Sequence, residues 1–202
     1  MRLKSPAQKG KMKLDKVYMA LLHHPVYNKS GEVVASAITN HDLHDLARLC
    51  ATYGLAGYFV VNPLPLQRKL AEKLIQHWIT GPGAAYNPTR KEAFQLARVA
   101  ADLEGVKGLI REESGRALKL VGTTARRLEN QISFPALREK MDRDQDQSWL
   151  ILFGTGWGLT REFLEKEVDY VLGPIMGAGD YNHLSVRSAS AIILDRLFSC
   201  GA

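Results

Sequence analysis

Short apolar runs alternate with amphipathic stretches along most of this chain, and that alternation constrains the fold more than any other feature. Residues 17–22 (VYMALL), 58–61 (YFVV), 118–122 (LKLVG) and 149–153 (WLILF) have the length and residue types of buried strands. A further β-rich stretch falls at 32–38 and a small strand near 170–172. Helical patterns lie between them. Thr39, Asn40 and Asp42 offer N-caps to a helix with Leu43, Leu46, Ala47, Leu49 and Cys50 on its apolar side, and Gly54 ends it. The next helix spans 66–78, with Leu70, Leu74 and Trp78 at i, i+4 and i+8. Residues 81–88 read as a Gly/Pro/Asn loop and 90–103 as another amphipathic helix. Helices near 135–142, just after 160 and over 183–198 complete the pattern, with an irregular loop at 173–182. Such alternation predicts an α/β fold with a mainly parallel sheet and helices on both faces.

Charge is informative mainly through its placement. The net charge is +6, but residues 1–16 hold six Lys/Arg against one acid, while the other 186 residues hold 21 basic and 20 acidic side chains. Residues 1–16 are therefore expected to be a flexible basic tail, and 17–202 a single domain. Such a tail adds non-specific phosphate affinity at most, so charge alone does not identify an RNA-binding protein. No apolar run approaches the roughly 18–20 residues of a membrane span, and the basic N-terminus lacks the apolar core of a secretory signal. Cys50 and Cys200 stand far apart with no metal-ligand spacing around them. Neither a disulfide framework nor a metal site is expected, and a reducing cytoplasm fits this usage.

Two segments point to ligand chemistry. In LILFGTGWGLT (150–160) a buried strand runs into Gly154, Gly156 and Gly158, which permit positive φ and close approach to a ligand. The spacing is GxGxG, and no Lys-Ser/Thr follows as a phosphate loop requires. Taken alone it is equally a tight turn. The second segment, GPIMGAGDYNHLSVRSASAIILDRL (173–197), is dense in small residues. Asp180, Asn182 and His183 stand at the entry of its helix, where free N–H groups point into a pocket. Asn182 is equally readable as an N-cap only, and His183 as a half-exposed histidine.

FGTGWGL followed by PIMGxxxxNHLSVRSAxAIIL resembles the two C-terminal motifs of the SPOUT superfamily of RNA methyltransferases, in particular its ribose 2′-O branch. Two upstream segments agree: DLHDLARLCATYG (42–54), with Arg48 six residues before Gly54, and VGTTAR (121–126). The match covers roughly 17–198 and looks like a small bacterial group related to the C-terminal domain attached to some tRNA guanine methyltransferases. The resemblance implies a C-terminal deep trefoil knot, which nothing in the periodicity shows, and a homodimer with its site near the interface. It also implies S-adenosylmethionine as cofactor and tRNA or rRNA as partner. By carry-over the cofactor would meet Thr123, Phe153, Gly154, Gly156, Gly158, Ile175, Met176, Gly177, Asn182, His183, Leu184, Ser185 and Ala189.

Catalytic roles fall by the same resemblance to Arg48, holding a phosphate or polarising the acceptor, and to Asp180, accepting a proton or offsetting the sulfonium charge. Arginine is a poor general base because its pKa exceeds about 12. Two departures from the 2′-O pattern touch the acceptor side. Asp42 stands where that branch usually has Asn, and Ser185 and Arg187 stand where it usually has Asn and Ser. Competing readings are a knotted RNA-binding module that keeps the pocket without activity, and a nucleotide-binding α/β protein using the GTGWG loop for phosphate. The missing Lys-Ser/Thr weighs against the latter.

Overall fold

A computed structural model describes residues 14–199. At its centre lies β1 (Val17–Leu22), buried along its whole length. That burial is why the run is continuously apolar: a parallel strand covered on both faces has no solvent side to alternate toward. On one side β1 pairs with β4 (Gly57–Val61), which pairs with β5 (Ala97–Ala100) at the edge. On the other side β1 pairs with β8 (Gln147–Gly154), followed by β6 (Ala117–Thr123), β9 (Tyr170–Leu172) and β7 (Gln131–Ile132). The seven-stranded order is β5-β4-β1-β8-β6-β9-β7, and every pairing in it is parallel. A separate antiparallel hairpin joins β2 (Val26–Tyr27) to β3 (Val33–Val34).

The strand period of two sorts side chains between two cores. Met19, Leu21, Tyr58, Val60, Trp149, Ile151 and Phe153 face one side. There they meet α1 (Asn40–Tyr53), α2 (Pro65–Ile79), α4 (Pro88–Phe94), α6 (Phe134–Arg143) and α8 (Val186–Phe198). Tyr18, Ala20, Leu22, Phe59, Leu150 and Leu152 face the other side, against α5 (Leu103–Ser114) and α7 (Arg161–Lys166). The α/β expectation therefore holds, with helices on both faces.

Several local expectations are corrected. Residues 90–103 are not one helix: α4 ends at Phe94, β5 follows, and α5 starts after its Asp102 cap. The reason is Arg98, whose guanidinium lies 4.7 Å from the Phe59 ring centroid and pairs with Glu113, so a charged residue sits inside a strand. Residues 81–88 are not all loop, since α3 (Pro82–Tyr86) begins with a proline in its first turn. The stretch 32–38 contributes only the two residues of β3. Helix α2 buries Ala71 and Ile75, with Leu74 and Trp78 partly buried against the core and Leu70 exposed. Of the 1–16 segment, Lys16 is buried and its Nζ donates to Gln145 O and Oε1, while 1–13 lie outside the described residues.

Candidate functional site

The carboxyl ends of β1, β6 and β8 open into a cavity of about 1090 Å³. Such an edge is where open parallel sheets bind their ligands. Three loops and the β2–β3 hairpin wall it. The first loop leaves β8 at Gly154 and turns through Gly156 and Gly158, whose φ values of 57° and 88° favour glycine. It is pinned to the hairpin: Trp157 N donates to Tyr27 O at 2.9 Å and Tyr27 N donates to Gly158 O at 3.0 Å. The Ser36 and Thr155 hydroxyls also bond each other.

The second loop follows β6. Thr123 is buried, its hydroxyl donating to Leu152 O at 2.9 Å. Arg126 donates to Leu159 O and holds its guanidinium 5.0 Å from the Tyr27 ring centroid, which fastens this loop to the glycine loop. The third loop joins β9 to α8. Asn182 Nδ2 donates to Ala125 O at 3.0 Å, and the His183 ring lies 5.9 Å from that of Trp157. Among the described residues, no main-chain hydrogen bond involves residues 174–184. Their N–H and C=O groups are free to recognise a ligand.

Of the residues expected at a cofactor, eleven line the cavity: Thr123, Phe153, Gly154, Gly156, Gly158, Ile175, Asn182, His183, Leu184, Ser185 and Ala189. Ser185 serves also as the N-cap of α8, its hydroxyl accepting from Ser188 N at 3.2 Å, so that helix starts later than its sequence pattern suggests. Met176 and Gly177 are exposed on the same loop as Ile175, outside the lining. Asp180 is likewise exposed and outside the lining, and so is Arg48, on the outer side of α1. Arg48 lies near His44 and Arg90. Burial, then the Arg90 charge, lowers the His44 pKa from its ordinary value, with Asp45, Arg48 and His41 acting on it as well.

Sequence reasoning missed the hairpin wall of Tyr27, Asn28 and Ser36, and missed Thr124 and Arg126 as lining side chains. The hairpin acts through its backbone, which leaves no residue-type signal; Arg126 stood inside the VGTTAR segment. Deeper in, His23 is fully buried with Nδ1 donating to Val61 O at 3.2 Å, and burial pushes its pKa down. Its Nε2 and the Tyr58 hydroxyl have no hydrogen-bond partner. Among the described residues, no group of three or more His, Cys, Asp or Glu is placed to hold a metal ion. No described helix is long and apolar enough to cross a membrane.

The composition of the site suits a nucleoside attached to a charged chain: apolar Ile175, Leu184 and Ile193, free main-chain donors and acceptors, and glycines that let backbone approach. A family model described as SAM-dependent RNA methyltransferase matches residues 16–199. An uncharacterized protein of Aquifex aeolicus is 44% identical over 185 residues, covering 92% of this chain and 89% of that one. The tRNA (guanine-N(1)-)-methyltransferase of Oleidesulfovibrio alaskensis is 40% identical over 90% of this chain but only 41% of its own length, so this chain spans less than half of that relative. Among solved structures, a putative methylase family protein from Neisseria gonorrhoeae superposes with a TM-score of 0.62 at 16% identity, over 97% of this chain and 86% of that one. The SpoU methyltransferase AviRb from Streptomyces viridochromogenes, in complex with AdoMet, does so at 0.51 and 16% identity, over 96% and 61%. The fold is the SPOUT methyltransferase fold, and the chain belongs to the family of SAM-dependent RNA methyltransferases.

Proposed function

We propose that this cavity holds S-adenosylmethionine, the methyl donor of the family, and that the acceptor is a nucleotide of tRNA or rRNA in the cytoplasm. One observation carries the reading. The glycine loop, the loop after β6 and the unengaged main chain of 174–184 converge on a single cavity at the sheet's carboxyl edge. When bound, the cofactor supplies an electrophilic methyl on a sulfonium. Phe153, Ile175, Leu184 and Ala189 give apolar contact, Gly154, Gly156 and Gly158 admit close backbone approach, and Thr123, Asn182, His183 and Ser185 shape the polar side. Met176 and Gly177 form the outer rim. Preorganised groups of this kind work by alignment and by charge complementarity.

A trefoil-knotted C-terminal segment and a homodimer belong to the same proposal. Arg48 supports the dimer: it stands outside its own chain's cavity, so a catalytic or phosphate-holding Arg48 would serve the cavity of a second copy. The exposed Trp157, Tyr181 and Leu184 at the cavity side of the molecule are apolar surface that a partner or RNA would cover. Calorimetric titration with S-adenosylmethionine should show saturable binding at one site per chain, and absence of binding at millimolar ligand overturns the cofactor reading. Radiolabelled methyl transfer to bulk unmodified RNA should follow, with Arg48→Ala slowing transfer while binding the cofactor normally. Cofactor binding without any transfer would favour an inactive RNA-binding module.

A further inference from the structure

Asp42 is the one carboxylate among the described residues lining the cavity. It occupies the first turn of α1, three residues after the N-cap Thr39. An acid there ordinarily reaches back to the cap's own N–H and closes a reciprocal pair. Half of that pair is present: Thr39 Oγ1 accepts from Asp42 N at 3.2 Å. The other half is absent among the described residues, where no bond joins the carboxylate to Thr39 N. The carboxylate faces Arg187 instead, with Oδ1 3.6 Å from Nε, and the Asp42 side chain is 13% exposed.

Arg187 is itself oddly placed. It is the second residue of α8, at the positive end of the helix dipole, where a cation is disfavoured. Two acids of α1 offset this, since Asp45 Oδ2 also lies 3.8 Å from Arg187 Nε. Asp42 and Arg187 are also two of the positions where the chain departs from the ribose-methylating pattern, which usually has Asn and Ser there. The structure sets these departures against each other at the wall of the cavity.

We propose that the Asp42 carboxylate receives the acceptor's ring N–H, so that the methylated atom is a ring nitrogen of a base, and that Arg187 positions this carboxylate. The inference rests on the function proposed above. An ionised carboxylate only accepts hydrogen bonds, whereas an Asn amide cannot take up a proton at all in this range. A ring imide N–H is far more acidic than a ribose hydroxyl, so a carboxylate is the better matched base for it. In the step, the acceptor's N–H bond breaks and its proton goes to an Asp42 oxygen. The electron pair left on nitrogen forms the N–CH3 bond as the methyl leaves the donor sulfur, which keeps the pair of the broken bond. One positive and one negative charge cancel: a sulfonium and a carboxylate become a thioether and a carboxylic acid.

Two measurements test this. RNA methylated by the wild-type chain is digested to nucleosides and resolved by mass spectrometry. A ring-N-methyl nucleoside is expected, and a 2′-O-methyl nucleoside overturns the inference. Asp42→Asn keeps shape and volume while removing the proton acceptor. Its kcat should fall about 10²–10⁴-fold with S-adenosylmethionine affinity changed by less than about threefold, and Asp42→Glu should recover part of the rate. Arg187→Gln should lower kcat with cofactor affinity unchanged, and Arg187→Lys should recover part of it. If Asp42→Asn transfers methyl at the wild-type rate, Asp42 only clamps α1 to α8. If the loss appears in cofactor affinity instead of kcat, Asp42 is a charge partner of the donor. Either result overturns the inference and leaves the methyltransferase reading standing. A wild-type chain that binds the donor but methylates no RNA removes that reading, and this inference with it.

Discussion

Replacing Gly154 with alanine would place a methyl carbon 2.7 Å from Leu159 N, 2.9 Å from Leu159 Cγ and 3.2 Å from Gly158 C. Two of these neighbours are backbone, so no side-chain rotation relieves the collision and the 155–159 loop has to move. That loop is held on three sides. Tyr27 N bonds Gly158 O, Trp157 N bonds Tyr27 O, and Arg126 donates to Leu159 O. Overpacking costs about 1–3 kcal/mol and each net hydrogen bond lost about 0.5–1.5, so a loss of about 2–3 kcal/mol is expected. For a chain of this size that corresponds to a Tm lower by about 4–12 °C. Because the moved loop is a cavity wall, S-adenosylmethionine should bind at least about tenfold more weakly, equivalent to about 1.4 kcal/mol. Gly158→Ala is the internal control: φ is 88° there, but an added Cβ meets nothing within 4 Å. Its cost is backbone strain of about 1–2 kcal/mol without a collision. Thermal unfolding and calorimetric titration of both variants read the difference. Should Gly154→Ala match Gly158→Ala in stability and affinity, close contact between Gly154 and Leu159 does not set the cavity wall.

Gly108 offers the opposite sign. It lies on an exposed part of α5 with nothing within 4 Å of an added Cβ, so Gly108→Ala should stabilise by about 0.5–1 kcal/mol in urea unfolding, leaving cofactor affinity unchanged. Stability should also fall on acidification. Burial holds the His23 pKa below its ordinary value, so the unfolded chain binds more protons once pH drops below about 6.5. The stabilisation is complete above that pH and is lost as pH falls toward the folded-state value, with a slope of at most about 1.4 kcal/mol per pH unit from this group. His44 acts in the same direction but less, because solvent reaches it. Urea midpoints at pH 7.5, 6.5 and 5.5 check this, and a midpoint that rises on acidification contradicts it.

How legible the molecule was in its sequence varied with the kind of physics involved. The strands β1 and β8 announce themselves because both faces are covered, which forces long apolar runs. The edge strand β5 does not: Arg98 lies along Phe59 and reaches Glu113, so a half-buried position carries a charged residue and the alternation disappears. Helix α1 was legible to its ends, from the Thr39 cap to Gly54 at φ 69°, because both termini depend on local chemistry. In the site, the glycines and the small-residue helix were legible because close backbone approach demands them. Tyr27 and Asn28 were not, since a wall built through main-chain bonds tolerates ordinary residues. Arg48 and Asp180 show the limit of motif order. A motif fixes where a residue lies along the chain, while its distance from the cavity depends on the face of the helix or loop that carries it.

The parallel sheet also has a bearing on how this chain is made. Val17 in β1 pairs with Trp149 in β8, and β8 in turn lies between β1 and β6. A chain emerging from the ribosome can pair β1 with β4 early, but the central β1–β8 seam has to wait for more than a hundred further residues. Loop closure over such distances is slow, and unpaired edges exposed meanwhile invite association. The cavity needs still more chain, because its last wall includes Ala189 and Ile193 of α8. Ligand binding is thus a property only of the nearly finished polypeptide, and a nascent chain stopped before α8 should have a paired sheet but no pocket.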